Sequence, residues 1–437
     1  MKSLLTSMTL ATAVACTSGV FAKPYCAELS EKTQLPKKYQ KRGPFYSDAA
    51  SGWIIGHDQL KLNFEVTDEV TALWRSINAE FEKHGAKLVV LAAPPRPLFV
   101  PADALNQMKL PDDFSLTDLQ DGFSAYITSL NSAGIISPDL SKLAHGQIAS
   151  SYYFARDTHW SPMGAAISVA HLKAAIDQTP VKDTISTINA SQTYEEKGSL
   201  AGVVKATCGT RPKIETVPSP QYAQKGSVAS LFADTESEDA IALVGTSFSD
   251  RYQRDAYQVA DALSFVMDAT VENYSVTGGG LAGAMETFIR NGAMKDGRFK
   301  TVVWEAPYST PLTRVAGLRQ ILGALLTYNA TPQSDGLRTA VGDKWTTLEH
   351  SFSTAGLAAL EIETAKTTSG QLVIELFDTK GASTRMKLEK TDRVAAQLRN
   401  NRWALALNGL PNNKIVKLKL RLKGATTQES ANIRFFK

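Results

Sequence analysis

The sequence predicts an α/β chain in which a mostly parallel sheet flanked by helices is followed by a small antiparallel β-sandwich. Three observations carry this. Up to about residue 330, uninterrupted apolar runs alternate with segments whose apolar residues recur at helical spacing, the pattern of strand–helix units around a parallel sheet. After about residue 340 the runs become short and alternating, separated by Gly, Asn and Asp turns. Finally, 437 residues are too many for one ordinary core, so two are expected.

The chain opens with "MKSLLTSMTLATAVACTSGVFA", one Lys before an apolar, small-residue stretch ending Val20-Phe21-Ala22, which suits a leader (1–22) cleaved after Ala22. The competing reading is lipid attachment at Cys16. Residues 23–45, with "PKKYQKRGP", read as an irregular basic arm. "TDEVTALWRSINAEFEKH" (67–84) is helical behind a Thr67 cap and stops at Gly85. "KLVVLAAPP" reads as a buried parallel strand. "DGFSAYITSLNSAG" is a helix, "SYYFAR" a short strand, and "SPMGAAISVAHLKAAI" a helix with Pro162 in its first turn.

The alternation continues. "AIALVG" is a strand entering "TSFSDRY", "ATVENYSV" a strand entering "TGGG", and a helix follows Gly283. "KTVVWEAP" is a strand and "LTRVAGLRQILGALLTY" a helix. Loops that follow strands of a parallel sheet gather at its C-terminal edge, where ligands bind. After the linker-like "TPQSDG", the runs "LAALEIETAKT", "GQLVIELFD", "TRMKLEKT", "NRWALALNGL", "NKIVKLKLRLKG" and "ANIRFF" read as sandwich strands.

A charged content of 21% and a net charge of +4 argue against long disorder and against a nucleic-acid binder, while leaving room for a basic groove facing an anionic polymer. No run beyond the leader is apolar enough to span a bilayer, so an exported soluble protein is expected. Outside the leader stand Cys26 and Cys208, read as a disulfide in an oxidising compartment; the alternative is two separate buried thiols. The 6 His residues are scattered, so neither a metal site nor a cofactor is expected.

Acyl chemistry needs a hydroxyl on a tight turn, an imidazole to take its proton, and a carboxylate to fix the imidazole. Ser247 in "ALVGTSFSD" is the candidate nucleophile, with Gly245 permitting the turn. Asp157 and His159 in "RDTHW" supply the other two: residues i and i+2 of an extended loop point the same way. An Asp before a helix can equally be a cap. Gly278, Gly279 and Gly280 offer a backbone approach to substrate, and Trp304 and Glu305 are rim residues or a structural cap.

"RDTHWSPMGA", then "GTSFSDRY", "VTGGG" and "VVWEAPY", with "SGWIIGHDQL" and "APPRPLF" upstream, together resemble the SGNH-hydrolase-like domain of the alginate O-acetyltransferases. The resemblance spans 23–330 in islands and has the Asp and His preceding the Ser. It implies Ser247 as nucleophile, His159 as general base and acid, and Asp157 as the orienting carboxylate. Trp160, Arg251, Tyr252 and the Gly278–Gly280 turn are implied neighbours. A sandwich at 340–437 fits the soluble members that carry a C-terminal carbohydrate-binding module, although the second disulfide of those members is absent. The implied function is periplasmic transfer of acetyl, relayed from a membrane O-acyltransferase, onto an alginate-like anionic polysaccharide among other export proteins. Lys37, Lys38, Lys41, Arg42, Lys344, Arg402 and Trp403 are candidate polymer contacts. An acetyl esterase and a non-catalytic scaffold are the alternatives.

Overall fold

The computed structural model describes residues 24–146, 148–222, 240–252, 254–333, 336–366, 370–410 and 414–437. The expected leader, with Cys16 and Ala22, lies outside them. The first half runs β1 (Phe45–Ser47), β2 (Ile54–Gly56), α1 (Asp68–Lys83), β3 (Lys87–Ala92), α2 (Ala102–Gln107), α3 (Leu116–Ser132), α4 (Ala149–Tyr152) and α5 (Pro162–Asp177). It continues with α6 (Val181–Ile185), β4 (Ala190–Glu196), α7 (Ser199–Cys208), β5 (Glu215–Pro220), β6 (Ala240–Val244) and α8 (Val259–Met267). β7 (Val271–Asn273), α9 (Gly280–Arg290), β8 (Phe299–Ala306) and α10 (Val315–Leu326) complete it.

The central sheet has the order β3-β8-β6-β7, and every pairing in it is parallel. β6 is apolar and buried along its whole length, as a strand covered on both faces must be. α1 starts where the Thr67 side chain accepts Val70 N–H and stops before Gly85, whose φ of +75° glycine adopts without steric cost. α5 opens with Ser161 accepting Gly164 N–H and Pro162 in its first turn.

β9 (Leu337–Val341), β10 (Thr346–Leu348), β11 (Phe352–Ser353), β12 (Ala359–Thr364), β13 (Gly370–Asp378) and β14 (Ser383–Lys390) follow. β15 (Arg402–Ala406), β16 (Lys414–Lys423) and β17 (Glu429–Phe436) end the chain. They form two antiparallel sheets, β10-β16-β13-β14 with β11 beside β16, and β15-β12-β17-β9. Leu372, Ile374, Leu418 and Leu420 of one sheet and Leu360, Ile362, Trp403 and Ile433 of the other share a core.

Two expectations are corrected. The basic arm is ordered: Ala27–Ser30 and Lys32–Gln34 are 3-10 turns, and Leu29 and Leu35 bury with Leu200, Val203 and Val204 of α7. A Cys26–Cys208 disulfide, with Cα atoms 5.7 Å apart, ties this arm to the end of α7. It closes a separation of 182 residues, which chain-entropy reasoning values at about 5 kcal/mol. "SYYFAR" is not a strand. It is the end of α4 followed by a single bridge, Tyr153 to Trp160, because its tyrosines pack sideways: the Tyr152 ring stacks on Phe99 at 4.4 Å.

Candidate active site

The loop carrying Asp157 is therefore held by something other than a sheet. Fully buried Arg96 donates to the carbonyls of Ile54 (2.7 Å), Phe154 (2.9 Å) and Ala155 (2.7 Å). Tyr308, in the loop just after β8, donates to Thr158 O at 3.1 Å. These bonds satisfy carbonyls that a ladder would have satisfied, and they fix the loop against the C-terminal edge of the sheet.

Asp157 is wholly buried. Its Oδ1 accepts His159 Nδ1–H and the His159 backbone N–H (3.0 Å), and Oδ2 accepts Ser199 N–H at 2.5 Å. Burial alone would raise this carboxyl. The His159 ring, its hydrogen bond, the Arg251 guanidinium (Nη2 to Oδ2 3.6 Å) and Ser199 N–H outweigh it and hold the group well below the usual carboxylate range. An ionised Asp157 makes Nδ1 the protonated ring nitrogen, leaving Nε2 to accept. Ser247 Oγ–H donates to it at 2.8 Å. The ring stacks against Tyr257 (centroids 5.1 Å) and meets Phe248 at 4.7 Å, which leaves it little freedom to turn away.

Ser247 sits on the turn after β6. Gly245 is needed here for space rather than for an unusual φ: a Cβ would lie 2.4 Å from Glu305 Oε2. Glu305, fully buried at the end of β8, accepts Thr246 N–H at 2.6 Å and the Thr246 hydroxyl at 3.1 Å. Thr246 Oγ1 in turn accepts Phe248 N–H at 3.3 Å. The amides on either side of Ser247 are thus occupied, and among the described residues Ser247 N–H meets no protein acceptor. That leaves it free to address a developing oxyanion. Burial pushes Glu305 up to about 7, with the Thr246 hydrogen bonds pulling the other way.

These groups open into a cavity of about 370 Å³, at the small end of ligand sites. Thr158 and His159, Gly245 to Phe248, Gly278 and Gly280, and Trp304 to Tyr308 all line it, so loops after β6, β7 and β8 converge on one edge. Arg42 and Asp58 close one side.

The other expected contacts divide. Gly279 lies in an adjoining groove with Arg314 and Lys387 rather than in this cavity. Trp160 is corrected from a substrate contact to a buried brace, its Nε1–H donating to Phe248 O at 3.0 Å. Arg251 pairs with Asp157 and with Glu196 (2.7 Å), so it serves the carboxylate. Tyr252 is exposed at 69%, at φ 56°, and does not line the cavity. Trp403 is corrected as well: it is fully buried in the sandwich core. Arg402 pairs with buried Glu361 at 2.9 Å, and Lys344 stands exposed before β10. None of these three, nor Lys37, Lys38 or Lys41, lines the cavity.

Sequence reasoning missed Ser199, Glu196, Tyr257 and Asp58. It named Glu305 without giving it a task. Its signal was a carboxylate inside the apolar run "TVVWEAP", since a buried acid needs a reason. Among the described residues no group of His, Cys, Asp and Glu is placed to hold a metal ion, and no helix is long and apolar enough to cross a membrane.

Comparison with known proteins assigns the chain to a family. "Alginate biosynthesis protein AlgX" of Pseudomonas putida is 27% identical over 317 residues, 69% of this chain and 64% of that protein. "Probable alginate O-acetylase AlgJ" of Pseudomonas syringae pv. tomato is 28% identical over 287 residues, 60% of this chain and 70% of that protein. The chain thus spans about 64% of the length of the AlgX relative. The solved structure of Pseudomonas aeruginosa AlgX superposes with a TM-score of 0.68 at 19% identity, covering 94% of this chain and 99% of that one, a likeness of fold. The family model for the SGNH hydrolase-like domain of acetyltransferase AlgX matches residues 50–308, more than half of the chain, and the chain belongs to that family.

Proposed function

We propose that this protein is an O-acetyltransferase that moves acetyl through an acetyl-Ser247 ester onto hydroxyls of an exopolysaccharide, alginate, during its synthesis and export. The observation that carries this reading is the aligned Asp157–His159–Ser247 set, with Ser247 Oγ 2.8 Å from His159 Nε2. In the first step Ser247 Oγ attacks the donor's acetyl carbonyl while Nε2 takes its proton and passes it to the departing donor group. Ser247 N–H meets the oxyanion. In the second step a sugar hydroxyl attacks the ester, Nε2 takes that proton, and Ser247 Oγ leaves and regains one. Asp157 keeps its charge throughout and steadies the imidazolium.

The same reading places the protein in the periplasm, with acetyl supplied by a membrane O-acyltransferase and with export proteins as partners. It gives the sandwich of β9 to β17 the task of holding polymer as a carbohydrate-binding module. The AlgX and AlgJ relatives support the polymer assignment.

The test uses a chromogenic acetyl ester with and without uronate oligomers. Acetyl is expected on the sugar and, in its absence, on the Ser247 peptide by mass spectrometry. Ser247→Ala should lose at least about 10³-fold in both. Free acetate as sole product with oligomer present would make the protein an esterase. Full activity in Ser247→Ala would end the proposal.

A further inference from the structure

Among the described residues, Arg42 is the only Lys or Arg that lines the catalytic cavity. It is also built in place. The Arg42 carbonyl accepts Asp58 N–H at 3.2 Å, and Arg42 Nε donates to Asp58 Oδ2 at 3.1 Å. Asp58 lies close against Gly56: a Cβ on Gly56 would lie 2.3 Å from Asp58 Oδ1, so a larger residue there would displace the carboxylate. The β1–β2 pairing, which sets Phe45 opposite Gly56, brings the two segments together.

Asp58 occupies the Nε side of the guanidinium. Among the described residues, neither terminal nitrogen of Arg42 has a protein hydrogen-bond acceptor. The side chain is one-third exposed (33%) and lines the catalytic cavity. A guanidinium held at one edge and open at the other offers parallel N–H donors matched to a planar carboxylate. Lys37, Lys38 and Lys41 of the same arm do not line the cavity.

Resting on the acyl-transfer reading, we infer that Arg42 reads the carboxylate of the acceptor sugar. It would grip one acidic ring so that a hydroxyl of that ring or its neighbour reaches the acetyl-Ser247 ester. The acceptor class is then a sugar acid, and a neutral polymer of the same shape is a poor substrate. Selection comes from the catalytic cavity itself, separately from any polymer held by the sandwich.

The experiment measures acetyl transfer from a chromogenic acetyl ester to uronate oligomers and to the same oligomers with carboxyls reduced to alcohols. The readout is the ratio of kcat/KM values for the two acceptors, which cancels general loss of activity. The wild type should favour the acid by about 10- to 100-fold, the range of a charge-assisted bidentate contact. Arg42→Gln should bring the ratio close to one, with most of the change in acceptor KM. Arg42→Lys, which keeps the charge without the fork, should fall between. Lys300→Gln removes an equal charge at the opposite, exposed end of β8 and should keep the wild-type ratio. An unchanged ratio in Arg42→Gln, or equal loss on both acceptors, overturns the inference. If the wild type acetylates neither oligomer while still cleaving the ester, the transfer reading fails without any variant, and the role of Arg42 falls with it.

Discussion

Asp157 keeps its charge in a fully buried position only because of its neighbours, and the Arg251 guanidinium, 3.6 Å from Oδ2, is a permanently charged cation among them. Removing that cation favours protonation of the Asp157–His159 pair as a unit, and once the pair gains that proton Nε2 has no lone pair left for Ser247. Arg251→Gln should therefore move the acid limb of the pH–rate profile upward by about one pH unit. Its kcat should drop up to about 10²-fold through loss of alignment. A drop in kcat with the acid limb unmoved would show that Arg251 acts through packing alone. Asp157, His159 and Ser247 were legible because their chemistry demands those residue types after tight turns. Trp403 was misread, although the evidence was present: it is in phase with Leu405 and Leu407, all buried, and strand alternation sends all of them inward. Arg251 was legible as a site residue but not by role, since Glu196 reaches it from β4 and Ser199 reaches Asp157 from the start of α7, elements that the sequence did not announce.

The buried runs β3, β6 and β8 were readable because length, flanking turns and β-branched content agree. The Asp157 loop was not, because aromatic residues favour strands in general while these tyrosines find stacking partners outside a ladder. The basic arm was misread because two buried leucines suffice to order it, too few for a periodic signal. Between β6 and β8, Glu305 couples the nucleophile turn to the sheet and makes a pH prediction. The folded protein holds its proton up to about pH 7, whereas an ordinary carboxyl ionises near 4.5. Below about 4.5 both states are protonated and the site costs nothing. As pH rises toward 7 the unfolded chain releases its proton first, so stability declines, by of order 3 kcal/mol once Glu305 must ionise. Glu305→Gln keeps an acceptor for Thr246 N–H without that burden. The two proteins should melt together at about pH 5, and the variant should melt higher at about pH 8. Equal melting at both would mean that Glu305 is ionised throughout.

The two cores meet through α10, and the sequence carried a trace of this. "LRQILGALL" is apolar around much of its circumference, which a helix covered on one side does not need. One side lies in the first core through Leu318, Ile321 and Leu325. The other approaches β15 so closely that a Cβ on Gly323 would lie 2.7 Å from Leu405 N and 2.9 Å from Ala406 N. Buried Arg319 bridges the junction, donating to Ala406 O (3.0 Å), Asn408 O (2.8 Å) and Glu69 Oε1 on α1 (2.7 Å). Backbone atoms cannot step aside as a flexible side chain can, so two effects compete at Gly323. Alanine there raises helix propensity by about 1 kcal/mol. It also forces the helix from the strand, an overpacking cost of about 1–3 kcal/mol. The contact distances favour the second. Gly323→Ala should lower Tm, and Gly323→Leu should split a single calorimetric transition into two as the halves melt independently. A stabilised Gly323→Ala protein would mean that the helix and the sandwich are separable neighbours, and that polymer held by one half is not positioned for the other.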